Sequence, residues 1–149
     1  MITETAKMLD KTQIRQLISD QMTAICTKNT DRIMSHYAPE AIIFDVKPLF
    51  QKIKNANELR RAWDACLPCL PVSFGTEMRD LGIFVSGDLA LAHWFWRFTG
   101  MEQDHPTIQT WIRSTVGYQR HQDRWQIVHE HCSVSFDPET SKTLLAIEP

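Results

Sequence analysis

Residues 111–136, WIRSTVGYQRHQDRWQIVHEHCSVSF, decide the fold. Apolar and polar residues alternate on both sides of a short polar break, His121 to Arg124. Alternation with a period of two is typical of half-buried strands, and two such runs around a short break favour an antiparallel hairpin. The stretch therefore predicts two paired strands, at 107–120 and 124–135.

Regular alternation also assigns each side chain to a face of the predicted hairpin. One face of the first strand holds Trp111, Arg113, Thr115 and Gly117. One face of the second holds Trp125, Ile127, His129, His131 and Ser133, which leaves Glu130 on the opposite side. If these faces coincide, one surface presents aromatic rings with an Arg and two His, which is the make-up of a small-molecule pocket.

Composition excludes several classes of protein. The chain has 149 residues, 43% of them hydrophobic and 23% charged, which favours a single globular domain, 1–149, with a core at about 10–137. A formal net charge of -2 gives no basic footprint for nucleic acid or a membrane surface. The first residues lack the profile of a secretory signal, so we expect a cytoplasmic protein. Cys66 and Cys69 have redox-motif spacing, but they close a predicted helix instead of opening one, and plain thiols are expected.

Capping patterns and apolar periodicity predict the remaining elements. After a loose leader at 1–9, helices are predicted at 10–28, 32–37 and 55–67, and strands at 41–45, 72–85, 88–99, 107–120 and 124–135. Helices collected before a run of strands indicate an α+β fold. We expect a strongly curved antiparallel sheet, packed on three N-terminal helices as a cone-shaped barrel, with a ligand entering at the mouth.

Three stretches carry a resemblance to a known family: KNTDRIMSHYAPEA at 28–41, IIFD at 42–45 and RWQIVHEHCSVSF at 124–136. With the order of elements, they resemble the nuclear-transport-factor-2-like superfamily, in its SnoaL-like and ketosteroid isomerase-like branch. The resemblance implies a cystatin-like α+β fold and, if the chain is an enzyme, an isomerase or cyclase. It places Asp45 where ketosteroid isomerase has its catalytic base. The Tyr and Asp oxyanion donors of that enzyme have no counterpart in 10–28 or 107–120, which argues against its mechanism here.

Asp45 and His129 are the candidate catalytic pair. A carboxylate at the mouth of an apolar cavity has a raised pKa, which suits a general acid or base. The alternative is that Asp45 caps a turn or pairs with Arg113. His129 and His131 face the same way on a strand, so they either orient a ligand in the pocket or, with Asp45 or His93, hold a metal ion. We expect ligand lining, with no metal and no cofactor.

The other candidate ligand-binding residues are Trp63, His93, Trp111 and Arg113. Arg113 inside a cone needs an anionic partner, which is either Asp45 or an acidic group of the ligand. Trp63 is either a pocket wall or ordinary core, and His93 lies among apolar neighbours, where a satisfied core His is the common outcome.

The strand at 88–99 is apolar on both faces, because Leu91 and Phe95 alternate with Trp94, Trp96 and Phe98. An aromatic stripe on the uncovered face would be a large exposed patch, so we expect a homodimer through the sheet.

Two functional hypotheses follow. The first is a pocket protein for a small apolar or ring-bearing ligand, acting as an isomerase, cyclase or dehydratase with Asp45 and His129 as the proton-transfer pair. The alternative is a non-catalytic ligand-binding or dimeric assembly module of the same fold.

Overall fold

The computed structural model describes residues 3–46, 52–102, 110–144 and 148–149. The helices are α1 (Glu4–Cys26), α2 (Thr30–Met34) and α3 (Ala56–Cys66), and α3 continues into a short 3-10 turn at Leu67–Cys69. The strands are β1 (Tyr37–Phe44), β2 (Gly75–Ser86), β3 (Leu89–Thr99), β4 (Ile112–His121) and β5 (Arg124–Ser133). The first residues of the predicted strand at 107–120 lie outside the described residues.

Helix α1 begins earlier than predicted. Thr3 is its N-cap, and the Thr3 hydroxyl accepts a hydrogen bond from the amide of Ala6 at 3.2 Å. A side-chain oxygen at this position satisfies one of the free N–H groups of the first turn. The interpretation of residues 1–9 as a loose leader is therefore wrong from Glu4 onward.

The second helix is shorter than predicted and the first strand is longer. Asn29 caps α2 by accepting from the amide of Arg32 at 3.0 Å, and the helix ends at Met34. Tyr37, predicted at the helix end, opens β1 instead. Strand β1 lies at the edge of the sheet, where Pro39 can be accommodated because an edge strand has backbone groups that need no partner.

The five strands form one sheet in the order β1-β5-β4-β3-β2. All neighbouring strands are antiparallel except β1 and β5, which run parallel. The sheet is therefore mixed, and the prediction of a purely antiparallel sheet is wrong. The sheet is open and not a closed barrel. The helices pack against one face of this curved sheet, and the predicted α+β class is confirmed. No helix of the described part is long and apolar enough to cross a bilayer.

The hairpin between β4 and β5 forms as predicted. Gln122 and Asp123 have φ angles of 49° and 61°, the two positive values of a type I′ turn. This turn matches the right-handed twist of the flanking strands, so two residues suffice to reverse the chain.

A β-bulge within this hairpin changes which side chains face the helices. Tyr118 pairs with Ile127, but its neighbour Gly117 pairs with His129, so Val128 is the extra residue. Since side chains alternate along a strand, one extra residue reverses the facing of everything beyond it. Ile127 and Cys132 are both buried on the helix-facing side, although an odd number of positions separates them.

Candidate ligand-binding site

Two adjoining cavities lie between the helices and the inner face of the sheet. The first, called here the α3 chamber, has a volume of about 120 Å³. The second, the α1 chamber, has a volume of about 30 Å³. Tyr37, Trp63, Trp96 and Glu130 line both, so the chambers meet at these four side chains. The α3 chamber is otherwise lined mainly by apolar groups, and its other polar side chains include Asp45 and Cys132.

Glu130 is the centre of a hydrogen-bonded network at this junction. The Tyr37 hydroxyl donates to Glu130 Oε2 at 2.5 Å, and Gln21 Nε2 donates to the Tyr37 hydroxyl at 3.3 Å. The thiol of Cys132 donates to Glu130 Oε1 at 3.4 Å. Both carboxylate oxygens are therefore held, and the carboxyl group has a fixed orientation.

The hydrogen-bonded network continues from Cys132 on β5 to Ser114 on β4 and Trp96 on β3. The Ser114 hydroxyl lies 3.3 Å from the Cys132 sulfur and accepts a hydrogen bond from the indole nitrogen of Trp96 at 2.9 Å. Ser114 is only 2% exposed, so these contacts are shielded from solvent. This series of hydrogen bonds fixes the ring of Trp96, one of the four side chains that line both chambers.

Burial sets the protonation of the central groups. It raises the pKa of Glu130, and the nearby Asp45 charge adds to the increase, while the hydrogen bonds from Tyr37 and Cys132 oppose it. Burial also raises the pKa of Tyr37 well above its usual value, with the Glu130 charge contributing. Tyr37 therefore remains a neutral donor, and Glu130 is a carboxyl group that takes up a proton more readily than an exposed one.

Asp45 and Trp63 lie on the cavity. Asp45 follows β1, is half-buried, and its Oδ1 accepts a hydrogen bond from the amide of Val46 at 2.7 Å. Trp63 projects from α3 into both chambers, and its indole nitrogen is buried without a hydrogen-bond partner among the described residues. Both residues line the α3 chamber, and the catalytic role of Asp45 and the ligand-binding role of Trp63 stay predictions.

His129 and His131 lie on the outer face of the sheet, so the predicted placement of both in the pocket is wrong. The bulge at Val128 is the reason, because it turns Glu130 and Cys132 inward instead. His129 Nδ1 lies 2.8 Å from the carbonyl oxygen of Ile42, and both rings contact Phe44 edge-on. The expected pairing of His129 with Asp45 inside the cavity is not formed.

Arg113 and His93 also face outward. Arg113 donates to the Ser133 hydroxyl and to the Val134 carbonyl, each at 3.1 Å, and makes neither the predicted contact with Asp45 nor one with the cavity. His93 is exposed on β3 beside Phe84. The even-numbered residues of β3 fill the core, which leaves the odd-numbered ones outside.

Trp111 is buried, but it lies away from the cavity. Two guanidinium groups cover its ring, with the carbon atoms of Arg79 and Arg97 at 4.7 and 4.5 Å from the ring centre. Both Arg side chains pair with Glu77 and Glu148. Trp111 therefore anchors charged side chains on the outer side, and its predicted place in the pocket is wrong.

The sequence prediction missed the residues at the junction, which are Gln21, Tyr37, Glu130, Cys132 and Ser114. Glu130 was placed outside because regular alternation was assumed through β5. One signal was available: Ile127 and Val128 are consecutive apolar residues where alternation expects only one. Such a pair within an alternating strand indicates a bulge, and a bulge there places Glu130 inside.

Among the described residues, no group of three or more His, Cys, Asp or Glu side chains could hold a metal ion. All four cysteines are free thiols. Cys66 lines the α3 chamber and Cys69 is exposed.

The geometry is that of an α+β fold with a cavity between a curved sheet and its helices, and comparison identifies the family. Residues 14–137 match the family of the SnoaL-like domain. The chain therefore belongs to this family, and the resemblance inferred from the sequence is confirmed. Among curated proteins, none matches the sequence.

Solved structures agree with this assignment. An NTF2-like protein of unknown function from Pseudomonas putida KT2440 is 32% identical over 100% of both chains, with a TM-score of 0.86. The hexachlorocyclohexane dehydrochlorinase LinA-type3 from Novosphingobium barchaimii LL02 is 16% identical over 97% of both chains, with a TM-score of 0.73. The association domain of C. elegans CaMKII is 17% identical over 86% of this chain and 98% of that one, with a TM-score of 0.70. The last two likenesses show the fold alone, which hosts both enzymes and assembly domains.

Proposed function

We propose that this protein binds a small, ring-bearing, enolisable compound between its two chambers and moves a proton to and from carbon with Glu130. The observation that supports this most is the Glu130 carboxyl group, held by Tyr37 and Cys132 at the junction of two largely apolar chambers. A general acid or base needs a fixed orientation and a pKa nearer neutrality than that of an exposed carboxyl group. Glu130 meets both requirements.

The size of the cavity favours a single ring. An apolar cavity of about 150 Å³ in another protein accommodates benzene. The α3 chamber, at about 120 Å³, is of that order, so a monocyclic compound fits better than a fused ring system such as a steroid. Trp63, Trp96 and Phe98 supply aromatic walls for the ring.

In the proposed reaction, ionised Glu130 accepts a proton from a carbon next to the ligand carbonyl. The electron pair of the broken C–H bond moves into the enolate, and protonated Glu130 then returns the proton to the same carbon or, where a conjugated C=C bond extends the enolate to a dienolate, to the γ carbon. Tyr37 keeps its own proton and orients the carboxyl group throughout. Asp45, the second carboxylate of the α3 chamber, favours protonation of Glu130 by charge repulsion. Of the expected proton-transfer pair, Asp45 remains part of the proposed site, and Glu130 takes the place of His129.

Hydrogen–deuterium exchange tests the proposal without knowledge of the natural substrate. The probe is 2-cyclohexen-1-one in D₂O, with loss of the signals of its C6 protons, on the saturated carbon next to the carbonyl, followed by NMR. The wild type should exchange them faster than buffer, and Glu130→Gln should reduce the enzymatic rate by about 100-fold or more, the typical contribution of a general base. Glu40→Gln is the matched control, because Glu40 is an exposed glutamate of β1. Equal rates in wild type and Glu130→Gln would refute the catalytic role.

A second observation favours pairing of two copies through the sheet. Phe84, Leu89 and Leu91 are 61%, 59% and 42% exposed on neighbouring strands of the outer face. Phe84 pairs directly with Leu91, so the three side chains form one patch. A two-fold symmetric dimer covers such a patch with its own copy, and we propose this homodimer.

A dimer of this kind is compatible with catalysis. If the wild type dimerises but the exchange assay is negative, the proposed function is that of an assembly module. Light scattering should give a mass near 34.6 kDa, twice the 17.3 kDa of one chain. Leu91→Glu should give the monomer mass, while Gln16→Glu, an exposed polar position of α1 away from the outer face of the sheet, should not change the dimer. A monomeric wild type at high micromolar concentration would refute pairing.

A further inference from the structure

Three buried polar atoms around the α1 chamber have no hydrogen-bond partner among the described residues. They are the side-chain oxygen of Gln21 and the indole nitrogens of Trp63 and Trp94. All three side chains line this chamber, and Gln21 and Trp94 are each only 6% exposed. An unpaired buried polar group costs about 1–3 kcal/mol, so three around one small space call for a common partner.

Gln21 is oriented by its hydrogen bond to Tyr37, the residue that holds the Glu130 carboxyl group in the proposed reaction. Its Nε2 donates to the Tyr37 hydroxyl, because Tyr37 uses its own proton for Glu130. This fixes the amide with its oxygen as the free atom. The side chains that line the chamber therefore carry one unpaired acceptor, on Gln21, and two unpaired donors, on Trp63 and Trp94.

One acceptor and two donors are the complement of a hydroxyl group. A hydroxyl has one proton to donate and two lone pairs that accept. A carbonyl or carboxylate would leave the Gln21 oxygen without a donor, and an ammonium group would leave both indoles without an acceptor. The volume of about 30 Å³ admits a group of this size but no ring.

We infer that the α1 chamber is a hydroxyl-recognising subsite, formed by Gln21, Trp63 and Trp94, and that the ligand is a ring compound carrying a hydroxyl group. The inference rests on the proposed function, since it assumes that the ring occupies the α3 chamber. Tyr37, Trp63, Trp96 and Glu130 line both chambers, so the hydroxyl of a ring bound in the α3 chamber would reach the α1 chamber beside these side chains. Steric size alone would accept a methyl group in its place, so the hydrogen bonds provide the selectivity.

Phenol and toluene form the test pair, because they differ only in a hydroxyl and a methyl group. Binding is followed by NMR titration of the indole N–H signals, assigned with Trp→Phe variants. Wild type should bind phenol about tenfold more tightly than toluene, which corresponds to one to three net hydrogen bonds. The indole signals of Trp63 and Trp94 should move downfield with phenol and not with toluene.

Gln21→Met should weaken phenol binding about 3- to 10-fold and leave toluene binding unchanged, because methionine keeps the volume but removes the acceptor. Gln13→Met is the matched control on the exposed side of the same helix. If Gln21→Met does not fold, the comparison of phenol with toluene in the wild type still decides the question. Equal affinity for both, without a selective indole shift, overturns the subsite and leaves the ring chamber intact. Binding of neither compound overturns the proposed function itself.

Discussion

Replacing Glu130 by glutamine should change how stability depends on pH. The folded state raises the pKa of Glu130 above its ordinary value of 4.5, chiefly through burial. A raised folded-state pKa means that the folded protein binds this proton more tightly than the unfolded chain does. The stability gained from Glu130 is therefore fully present below pH 4.5 and is lost as the pH rises through the folded-state pKa.

The size of the effect follows from one proton. Between the unfolded-state and folded-state pKa values, Glu130 lowers the free energy of unfolding by at most about 1.4 kcal/mol per pH unit. Glu130→Gln keeps the shape and still accepts a hydrogen bond from Tyr37, but it does not titrate. The variant should therefore gain stability relative to wild type as the pH increases from 4.5, until the difference reaches a plateau.

Urea unfolding at half-unit pH intervals measures this difference. Glu40→Gln is the control, because it removes one carboxyl group from an exposed position of the edge strand β1, away from the cavity. A constant difference between wild type and Glu130→Gln from pH 4 to 8 would contradict the raised pKa of Glu130. A difference that shifts in favour of the wild type as the pH increases would show that the carboxylate form is the one stabilised by folding.

Three further predictions concern the neighbouring contacts. Ser114→Ala leaves the buried indole N–H of Trp96 without its partner and should reduce the free energy of unfolding by about 1–3 kcal/mol in urea; a loss below about 0.5 kcal/mol would mean that the hydrogen bond contributes little. Tyr37→Phe removes a hydrogen bond that lowers the pKa of Glu130, so the Glu130 carboxyl carbon should titrate at a higher pH by NMR than in wild type, and an unchanged or lower value would argue against this contact. His129→Ala should retain proton exchange in 2-cyclohexen-1-one, because His129 lies on the outer face and acts on Glu130 only through its charge, and a loss similar to that of Glu130→Gln would restore the carboxylate–histidine pair.

The parts of the fold that depend on local sequence were predictable. The hairpin of β4 and β5 follows from the alternation of apolar and polar residues around a two-residue turn. Gln122 and Asp123 adopt the positive φ angles that this turn requires, although glycine or asparagine is more common there. The start of α1 was misplaced, because Thr3 is one of several polar residues that could cap a helix, and only the structure shows which one accepts the hydrogen bond. The parallel pairing of β1 with β5 joins residues about 90 positions apart, and no local pattern encodes it.

The candidate site was predicted only as far as the strand register was. Asp45 and Trp63 line the α3 chamber, and neither position depends on the alternation of β5. His129 and His131 were misplaced, because one bulge residue, Val128, reverses the facing of the strand beyond it. The same reversal brings Glu130 beside Tyr37, a contact between residues 93 positions apart that single-sequence reasoning has no means to find.

A crystal structure of the protein with 2-cyclohexen-1-one would show directly where the ligand binds and which carboxyl group faces it. The ring should lie in the α3 chamber, against Trp63 and Phe98, with the C6 carbon next to the carbonyl facing the Glu130 carboxyl group. A ligand bound instead on the outer face, beside His129 and His131, would contradict the assignment of the site and of its proton-transfer residue.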